Sequence, residues 1–338
     1  MSFDNYAIDY SVLICTYNPD QRLLQRCLVA VKDLQRNGIT TEVILIDNNS
    51  TPALQSTPYI QHYLNQVPDM QLLNVTQQGL SYARMGGIAA ARGKYIVFFD
   101  DDNEPDSAYL LALQQLHAQY PQVTAWGPGQ VQVDFIDGVD PALEPIARPA
   151  FQERHEEKVA FAAAHEWQAC YPFGTGLCMP AATLKGYIDG GNAGRFTLTD
   201  RNGESLSSGG DTQMVLFGIQ SGGAAGIAPA LKITHIIPGK RTSPAYLKRL
   251  AYSTSLCYAT CVAQVFPEYR QQVISELKPP AKFSRQSFKK FLRLLLAGNT
   301  LKQCRLAAEI GDMCGRYLLL QKPVPGLVRM IIRLMKLD

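Results

Sequence analysis

Three apolar runs in the first third of the chain end the same way, in a polar or acidic turn. Tyr10-Ser11-Val12-Leu13-Ile14-Cys15 breaks at Thr16-Tyr17-Asn18-Pro19, and Glu42-Val43-Ile44-Leu45-Ile46 ends at Asp47-Asn48-Asn49-Ser50. The third, Tyr95-Ile96-Val97-Phe98-Phe99, enters Asp100-Asp101-Asp102. A short, continuously apolar run ending in charge is the pattern of a strand buried on both faces of a parallel sheet, and such sheets bind ligands outside the carboxyl ends of their strands. Between the runs lie helical periods. Leu24, Cys27, Leu28, Val31 and Leu34 make one face, with Asn18 as the expected cap, Pro19 at the first helical position and a stop at Asn37-Gly38. Residues 52–70 read as a loosely helical connection and Gln71–Val75 as a short strand. A helix from Tyr82 to Arg92 follows, capped by Ser81 and carrying Arg84, and its Gly86-Gly87 pair costs propensity and implies a close backbone approach.

Farther on, Asp106 or Ser107 is expected to cap a helix with Leu110, Leu111, Leu113 and Leu116 facing the sheet. Trp126-Gly127-Pro128-Gly129 reads as a turn, and Gln130–Phe135 alternates with the period of a half-exposed strand. Residues 137–167 read as a long surface connection with some helix. Gly174-Thr175-Gly176 precedes an apolar strand, a pattern suited to a ligand approaching the backbone. Phe196–Leu206 reads as a hairpin closed by Asn202-Gly203. Asp211 then stands at a helix start, either as a cap or as a carboxylate free to take a proton from a bound hydroxyl. Leu231–Pro238 is a strand containing His235, a packed residue or a ligand, and it leads to Lys240-Arg241, which either close on a diphosphate or form a solvated turn.

Three adjacent aspartates repel one another unless a cation or a donor-rich ligand shares their site, and hard oxygen ligands suit Mg²⁺ or Mn²⁺. A solvated turn that caps the next helix is the alternative. The turn after the first strand lacks the Gly-x-Gly-x-x-Gly fingerprint, which disfavours a dinucleotide-binding domain. Asp47 either caps a turn or accepts from a ribose or base.

The 338 residues carry a net charge of +3 that hides an asymmetry. Residues 1–269 hold 18 Lys/Arg against 25 Asp/Glu, net −7, and residues 270–338 hold 14 against 4, net +10. An acidic body with a basic tail implies that the tail meets something anionic. Clusters such as Phe288–Leu296 and Val328–Leu337 interleave Lys and Arg with aliphatic side chains. That suits membrane-surface contact through residues 284–338 or packing on the core or a second subunit, and it is too aliphatic for a nucleic-acid surface. The eight cysteines show no Cys-x-x-Cys pair and read as reduced core residues. Met1-Ser2-Phe3-Asp4 lacks the layout of a signal peptide and no apolar run is long enough to span a bilayer. The expectation is therefore a cytoplasmic protein, peripheral on the inner face of the plasma membrane if the tail meets lipid and not the core or a partner.

Taken in order, Thr16-Tyr17-Asn18, Asp47-Asn48-Asn49-Ser50, and Gly79–Gly93 followed by Tyr95–Asp102 resemble glycosyltransferase family 2, most clearly over residues 10–110 and more weakly through Gly174–Gly176 and Arg201-Asn202-Gly203 to about residue 245. The resemblance implies an α/β GT-A fold, a mixed, mostly parallel sheet flanked by helices. Residues 1–245 would form the catalytic domain (10–125 binding donor, 126–245 binding acceptor) and residues 246–338 a basic helical extension. It implies inverting transfer of a sugar from a nucleoside diphosphate sugar, most often UDP-linked, to a glycan or lipid-linked acceptor hydroxyl. Thr16, Tyr17, Asn18, Asp47, Asn49, Arg84, Asp100, Asp101, Lys240 and Arg241 would contact the donor, and Gly174, Thr175 and Gly176 the acceptor. Asp102, Asp100 and His235 would serve the metal, and Asp211 would be the base. The family usually places Glu-Asp where this chain has Gly210-Asp211. A nucleotide-sugar-binding module without transfer activity and a nucleotidyltransferase are the alternative readings.

Overall fold

The apolar runs become the centre of one sheet. The computed structural model describes residues 6–197, 206 and 208–338; the hairpin expected over Phe196–Leu206 falls largely outside them. In chain order come β1 (Tyr10–Thr16), α1 (Gln21–Lys32), β2 (Thr41–Asp47), α2 (Pro58–Gln66), β3 (Met70–Asn74), α3 (Leu80–Ala90), β4 (Tyr95–Asp100), β5 (Asn103–Pro105), α4 (Tyr109–Gln119) and β6 (Val123–Phe135). They are followed by α5 (Glu144–Ala150), β7 (Arg154–His155), β8 (Ala160–Ala162), β9 (Cys178–Pro180), α6 (Ala181–Asn192), α7 (Gly210–Gln220) and β10 (Ala224–Ile237). The last part is helical: α8 (Pro244–Val265), α9 (Tyr269–Glu276), α10 (Pro280–Ala297), α11 (Thr300–Leu319) and α12 (Gly326–Met335).

The described strands form a mixed sheet in the order β3-β2-β1-β4-β9-β6-β10-β5, with β7 on β6 and β8 on β10. Pairing is parallel across β3, β2, β1 and β4, and antiparallel where β9 joins β4 and where β5 joins β10. This is the helix-flanked α/β sheet that the run-and-period pattern predicts. Successive side chains of a strand point to opposite faces. Accordingly Val12, Ile14, Val43 and Leu45 pack with Leu24, Cys27, Leu28 and Val31 of α1, while Leu13 and Ile46 meet α3 on the other face.

That second contact accounts for the Gly86-Gly87 pair. A Cβ on Gly87 would stand 3.0 Å from Ile46 Cδ1 and 3.1 Å from Leu13 Cδ1, and one on Gly86 2.8 Å from Val75 Cγ2, so it is the sheet that approaches the helix backbone.

Several local expectations are corrected. α1 is capped by Asp20, whose side chain accepts from Arg22 N, and Pro19 lies outside the helix. Asn18 instead has φ 44°. Its N–H donates to Ser50 Oγ (2.9 Å) and its Oδ1 accepts from Thr51 N (2.8 Å), so it ties the turn after β1 to the turn after β2. α3 starts from Gly79, whose φ of 132° suits glycine, and not from a Ser81 cap. Trp126–Gly129 is strand, not turn. Its glycines serve close approach, because a Cβ would lie 2.4 Å from Pro172 at Gly127 and 2.7 Å from Ala228 at Gly129.

The chain divides into two compact units. The first holds the sheet and comprises Met1–Asp134, Glu153–Thr197 and Met214–Ile236; the second comprises Phe135–Gln152, Leu198–Gln213 and Ile237–Asp338. The second unit has its own apolar core, in which Phe283, Leu306, Ile310, Met313, Tyr317, Val328, Ile331 and Met335 cluster. All eight cysteines are free thiols. Among the described residues no helix is long and apolar enough to cross a membrane.

Candidate active site

Register brings the polar ends of the strands level. Thr16 pairs with Asp47 across β1 and β2, and Cys15 with Asp100 across β1 and β4. Three neighbouring parallel strands therefore present Thr16, Asp47 and Asp100 along one carboxyl edge. The antiparallel strand β9 continues this edge from the other direction. Phe98 N donates to Leu177 O (2.8 Å), which runs Gly174-Thr175-Gly176 past the end of β4.

The acidic run is held residue by residue. Thr16 Oγ1 donates to Asp101 Oδ2 in a short hydrogen bond. Arg84, buried in the first turns of α3, places Nη2 3.6 Å from Asp100 Oδ1 and its guanidinium 5.9 Å from the centre of the Phe98 ring. Asn103, fully buried, accepts from Asp100 N through Oδ1 (3.0 Å) and donates through Nδ2 to Asp102 Oδ1 (2.9 Å). Arg26 of α1 grips Glu104 of β5 through two bonds (2.6 and 2.5 Å) and Asp134 through a third (2.7 Å).

β5 pairs with β10 so that Asn103 lies opposite His235, and Ile236 N donates to Asp102 O (2.8 Å). His235 Nε2 consequently stands 3.4 Å from Asp102 Oδ2, with both side chains buried. Neighbouring ligands of an octahedral divalent ion stand about 3 Å apart, so one carboxylate and one imidazole at this separation could serve as two ligands of such an ion. Among the described residues no group of three or more His, Cys, Asp and Glu side chains converges to hold a metal.

The loop after β2 is built by its own polar side chains. Asp47 accepts from Ser50 N and Leu54 N (both 2.9 Å), one bond to each carboxylate oxygen, as a turn-building aspartate does. Asn48 donates to Val75 O (3.1 Å) and Gln77 O (2.8 Å) and accepts from Gly79 N (2.7 Å), which joins this loop to the start of α3. Asn49 and Tyr17 are exposed at the same edge, Asn49 with φ 66°.

Gly176, at φ +70°, has the space on its Cβ side already filled. A Cβ there would sit 2.4 Å from Ile233 Cδ1 and 2.5 Å from the Tyr109 hydroxyl, which donates to Gly176 O (2.7 Å). Thr175 is buried beside it.

Sequence reasoning passed over four residues of this region. Asn48 and Asn103 gave no signal beyond their place at strand ends. Tyr59 of α2 has its phenol pushed up to about 12 by burial and by the charge of Asp101. Trp167 stacks on Phe173 with ring centres 5.5 Å apart, and the Arg154 guanidinium lies 5.1 Å from the Phe173 centre.

The other expected site residues belong to the second unit. Asp211 lies in the first turn of α7, its Oδ1 accepting from Thr212 N (2.8 Å), and this helix continues from Met214 as part of the first unit. The start of α7 is anchored to α8, since Gln213 Nε2 bonds Gln264 Oε1 (2.9 Å) and Cys261 Sγ contacts Gly209 O (3.4 Å). Lys240 is exposed in a short 3-10 turn. Arg241 stacks its guanidinium 5.0 Å from the Phe151 ring centre and bonds the Tyr246 hydroxyl (3.2 Å).

Comparison with known proteins agrees with the pattern of this edge. Residues 11–162 match the model of a family described as Glycosyl transferase family 2. An uncharacterized glycosyltransferase, YibD of Escherichia coli, is 32% identical over 94 residues, covering 28% of this chain and 26% of the relative. A putative glycosyltransferase, EpsH of Bacillus subtilis, is 31% identical over 98 residues, covering 28% and 27%. The chain thus spans about a quarter of the length of the curated relatives it matches. Among solved structures, S. aureus TarS residues 1–349 superimposes over 90% of both chains with a TM-score of 0.47 and 13% identity. Thr16, Asp47 and the Asp100–Asp102 run at the sheet edge all lie within residues 11–162, the part of the chain that matches glycosyl transferase family 2.

Proposed function

We propose that this protein is an inverting glycosyltransferase that moves a sugar from a nucleoside diphosphate sugar, UDP-linked, to an acceptor hydroxyl of a glycan or lipid-linked glycan. The observation that carries the reading is the carboxyl edge of β1, β2 and β4, where register aligns Thr16, Asp47 and Asp100 within the stretch that matches family 2. Thr16, Tyr17, Asn49, Asp47, Arg84 and Asp100 surround the nucleoside and ribose in this reading. Asp102 and His235 would hold Mg²⁺ or Mn²⁺, and Lys240-Arg241 would be the cationic turn that meets the diphosphate. A bound divalent ion offsets the charge that accumulates on the departing nucleoside diphosphate.

The chain's own residues then have separate tasks. Thr16 and Arg84 fix the orientations of Asp101 and Asp100, and Asn103 fixes Asp102, so the acidic run keeps one geometry before donor arrives. Asp211 removes the proton from the acceptor hydroxyl as the new bond forms, a task worth typically ~10²–10⁴-fold. Single displacement inverts the anomeric carbon. Gly210 stands where the family usually has a second carboxylate, so Asp211 works without that neighbour.

The test screens a panel of nucleoside diphosphate sugars for hydrolysis and transfer, with and without Mg²⁺ or Mn²⁺. Turnover of one UDP-sugar that requires the divalent ion is the expected result, and silence across the panel with donor binding intact favours a nucleotide-sugar-binding module. Asp211→Asn is expected to bind donor normally and lose transfer at least about 100-fold; wild-type transfer by this variant removes Asp211 from the mechanism.

A further inference from the structure

α10 carries two apolar stripes, and only one of them is used by the fold. Phe283 and Ser287 are buried and Phe291 and Leu294 half-buried, and these positions pack into the core of the helical unit, where the Phe283 ring stacks on Tyr317 with centres 5.7 Å apart. A second stripe is made by Phe288, Leu292, Leu295 and Leu296. Their spacing of i, i+4, i+7 and i+8 puts them on one arc of the helix. All four are exposed, Leu295 to 67% and Leu296 to 87%.

The charges on this helix follow the same geometry. Arg285 falls within the exposed arc, and Lys282, Lys289 and Arg293, all exposed, follow one of its borders. Lys290, on a different side, is paired with Glu309 of α11. α12, packed beside α10, repeats the arrangement. Val328, Ile331, Ile332 and Met335 are buried, whereas Met330 and Leu334 (i, i+4) are exposed to 45% and 59%, next to exposed Arg329 and Arg333.

Single exposed leucines need no explanation, but contiguous exposed aliphatic positions bordered by cations on two neighbouring helices describe a surface built for contact. Two candidate occupants fit badly. A second copy meeting this face symmetrically would bring Lys282, Lys289 and Arg293 toward the same cations of its partner. A nucleic acid would gain nothing from the leucines. An anionic bilayer satisfies both halves of the pattern, because acyl chains accept the aliphatic side chains while acidic headgroups meet the basic border.

We infer that the α10–α12 face is an interfacial membrane-docking surface, with Phe288, Leu292, Leu295 and Leu296 entering the headgroup–acyl boundary and Lys282, Arg285, Lys289 and Arg293 contacting anionic lipid. The helices lie on the bilayer and do not cross it, in keeping with their length and charge. The inference stands apart from the donor chemistry, since it uses none of the residues assigned to the sheet edge.

Flotation of the full chain with vesicles decides it. The protein is expected to float with vesicles of mixed phosphatidylglycerol and phosphatidylcholine, to remain below vesicles of phosphatidylcholine alone, and to be released by high salt. Leu292→Ser combined with Leu295→Ser and Leu296→Ser should lower partitioning about 100-fold. Lys282→Gln combined with Lys289→Gln and Arg293→Gln should lower it comparably on the mixed vesicles alone. Both variants should keep the wild-type circular dichroism spectrum and the same donor hydrolysis in solution. Failure of the wild-type protein to float with either vesicle overturns the inference, as does unchanged flotation of the leucine variant. A wild-type dimer that the leucine variant turns into a monomer, measured by sedimentation without lipid, overturns it in favour of a second copy of the chain.

Discussion

His235 Nε2 stands 3.4 Å from Asp102 Oδ2, although the two residues lie more than a hundred positions apart in the sequence; the pairing of β5 with β10 brings them together. The antiparallel register sets Asn103 opposite His235 and lets Ile236 N bond Asp102 O, so the imidazole is carried to the carboxylate by backbone geometry.

If this pair serves a divalent ion, its two members should be separable by titration. His235→Ala is expected to raise the Mn²⁺ concentration for half-maximal donor hydrolysis about 10–100-fold while the plateau rate falls less. Asp102→Asn should abolish ion-dependent turnover. Mn²⁺ binding followed by electron paramagnetic resonance supplies a readout besides activity, and unchanged Mn²⁺ affinity in both variants would show that the pair is structural.

Asn103 is the staple of the acidic run, with one side-chain atom on Asp100 N and another on Asp102 Oδ1. Asn103→Ala leaves a buried donor and a buried carboxylate oxygen without this partner, at a cost of about 1–3 kcal/mol. Urea unfolding should register that loss, and donor affinity should drop together with it because Asp102 loses its fixed orientation.

Gly176 combines a left-handed φ with filled space on its Cβ side, where Ile233 and the Tyr109 hydroxyl already stand. Gly176→Ala is expected to destabilise the protein by about 2–4 kcal/mol, from backbone strain and overpacking together. Thermal unfolding measures it. A stability equal to wild type would mean that Tyr109 swings away freely.

His117 gives an acid limb to the stability profile. It stacks on Tyr95 with ring centres 3.9 Å apart, and its Nδ1 lies 3.1 Å from the Tyr10 hydroxyl. Burial, with the charge of Lys94, lowers the imidazole from 6.5 to about 4. The unfolded chain therefore takes up this proton at a higher pH than the folded chain does. The contribution is fully present above about pH 6.5 and is lost as pH falls toward about 4, amounting to at most about 3 kcal/mol. Urea midpoints between pH 7 and pH 4 should fall more steeply for wild type than for His117→Gln; parallel curves would contradict the assignment.

The elements of the parallel half of the sheet were legible in the residues themselves, because an apolar run that meets charge and a helical period that meets glycine are local signals. So were the aspartates at the end of β4, the amphipathic character of the tail, and the family resemblance over the first hundred residues. Glycine was the least reliable sign. Gly127 and Gly129 looked like a turn and proved to be strand positions where Pro172 and Ala228 come too near for a side chain, and at Gly176 Tyr109 and Ile233 fill the same space. No run of neighbours in the chain can reveal which distant residue fills such a space.

By itself the sequence determined which segments are buried strands, where their polar ends lie, and that the tail is both basic and aliphatic, since each follows from the order of side chains within a dozen positions. Only the tertiary structure decided that β5 and β10 bring His235 to Asp102, that Asn48 and Asn103 lock the two loops of the edge, and that one stripe of α10 is spent on the helical core while the other stays exposed. The physical reason is the same in each case. Strand register and helix packing are long-range choices made by the whole core, and a residue's chemistry is settled by what that core sets within a few ångströms of it.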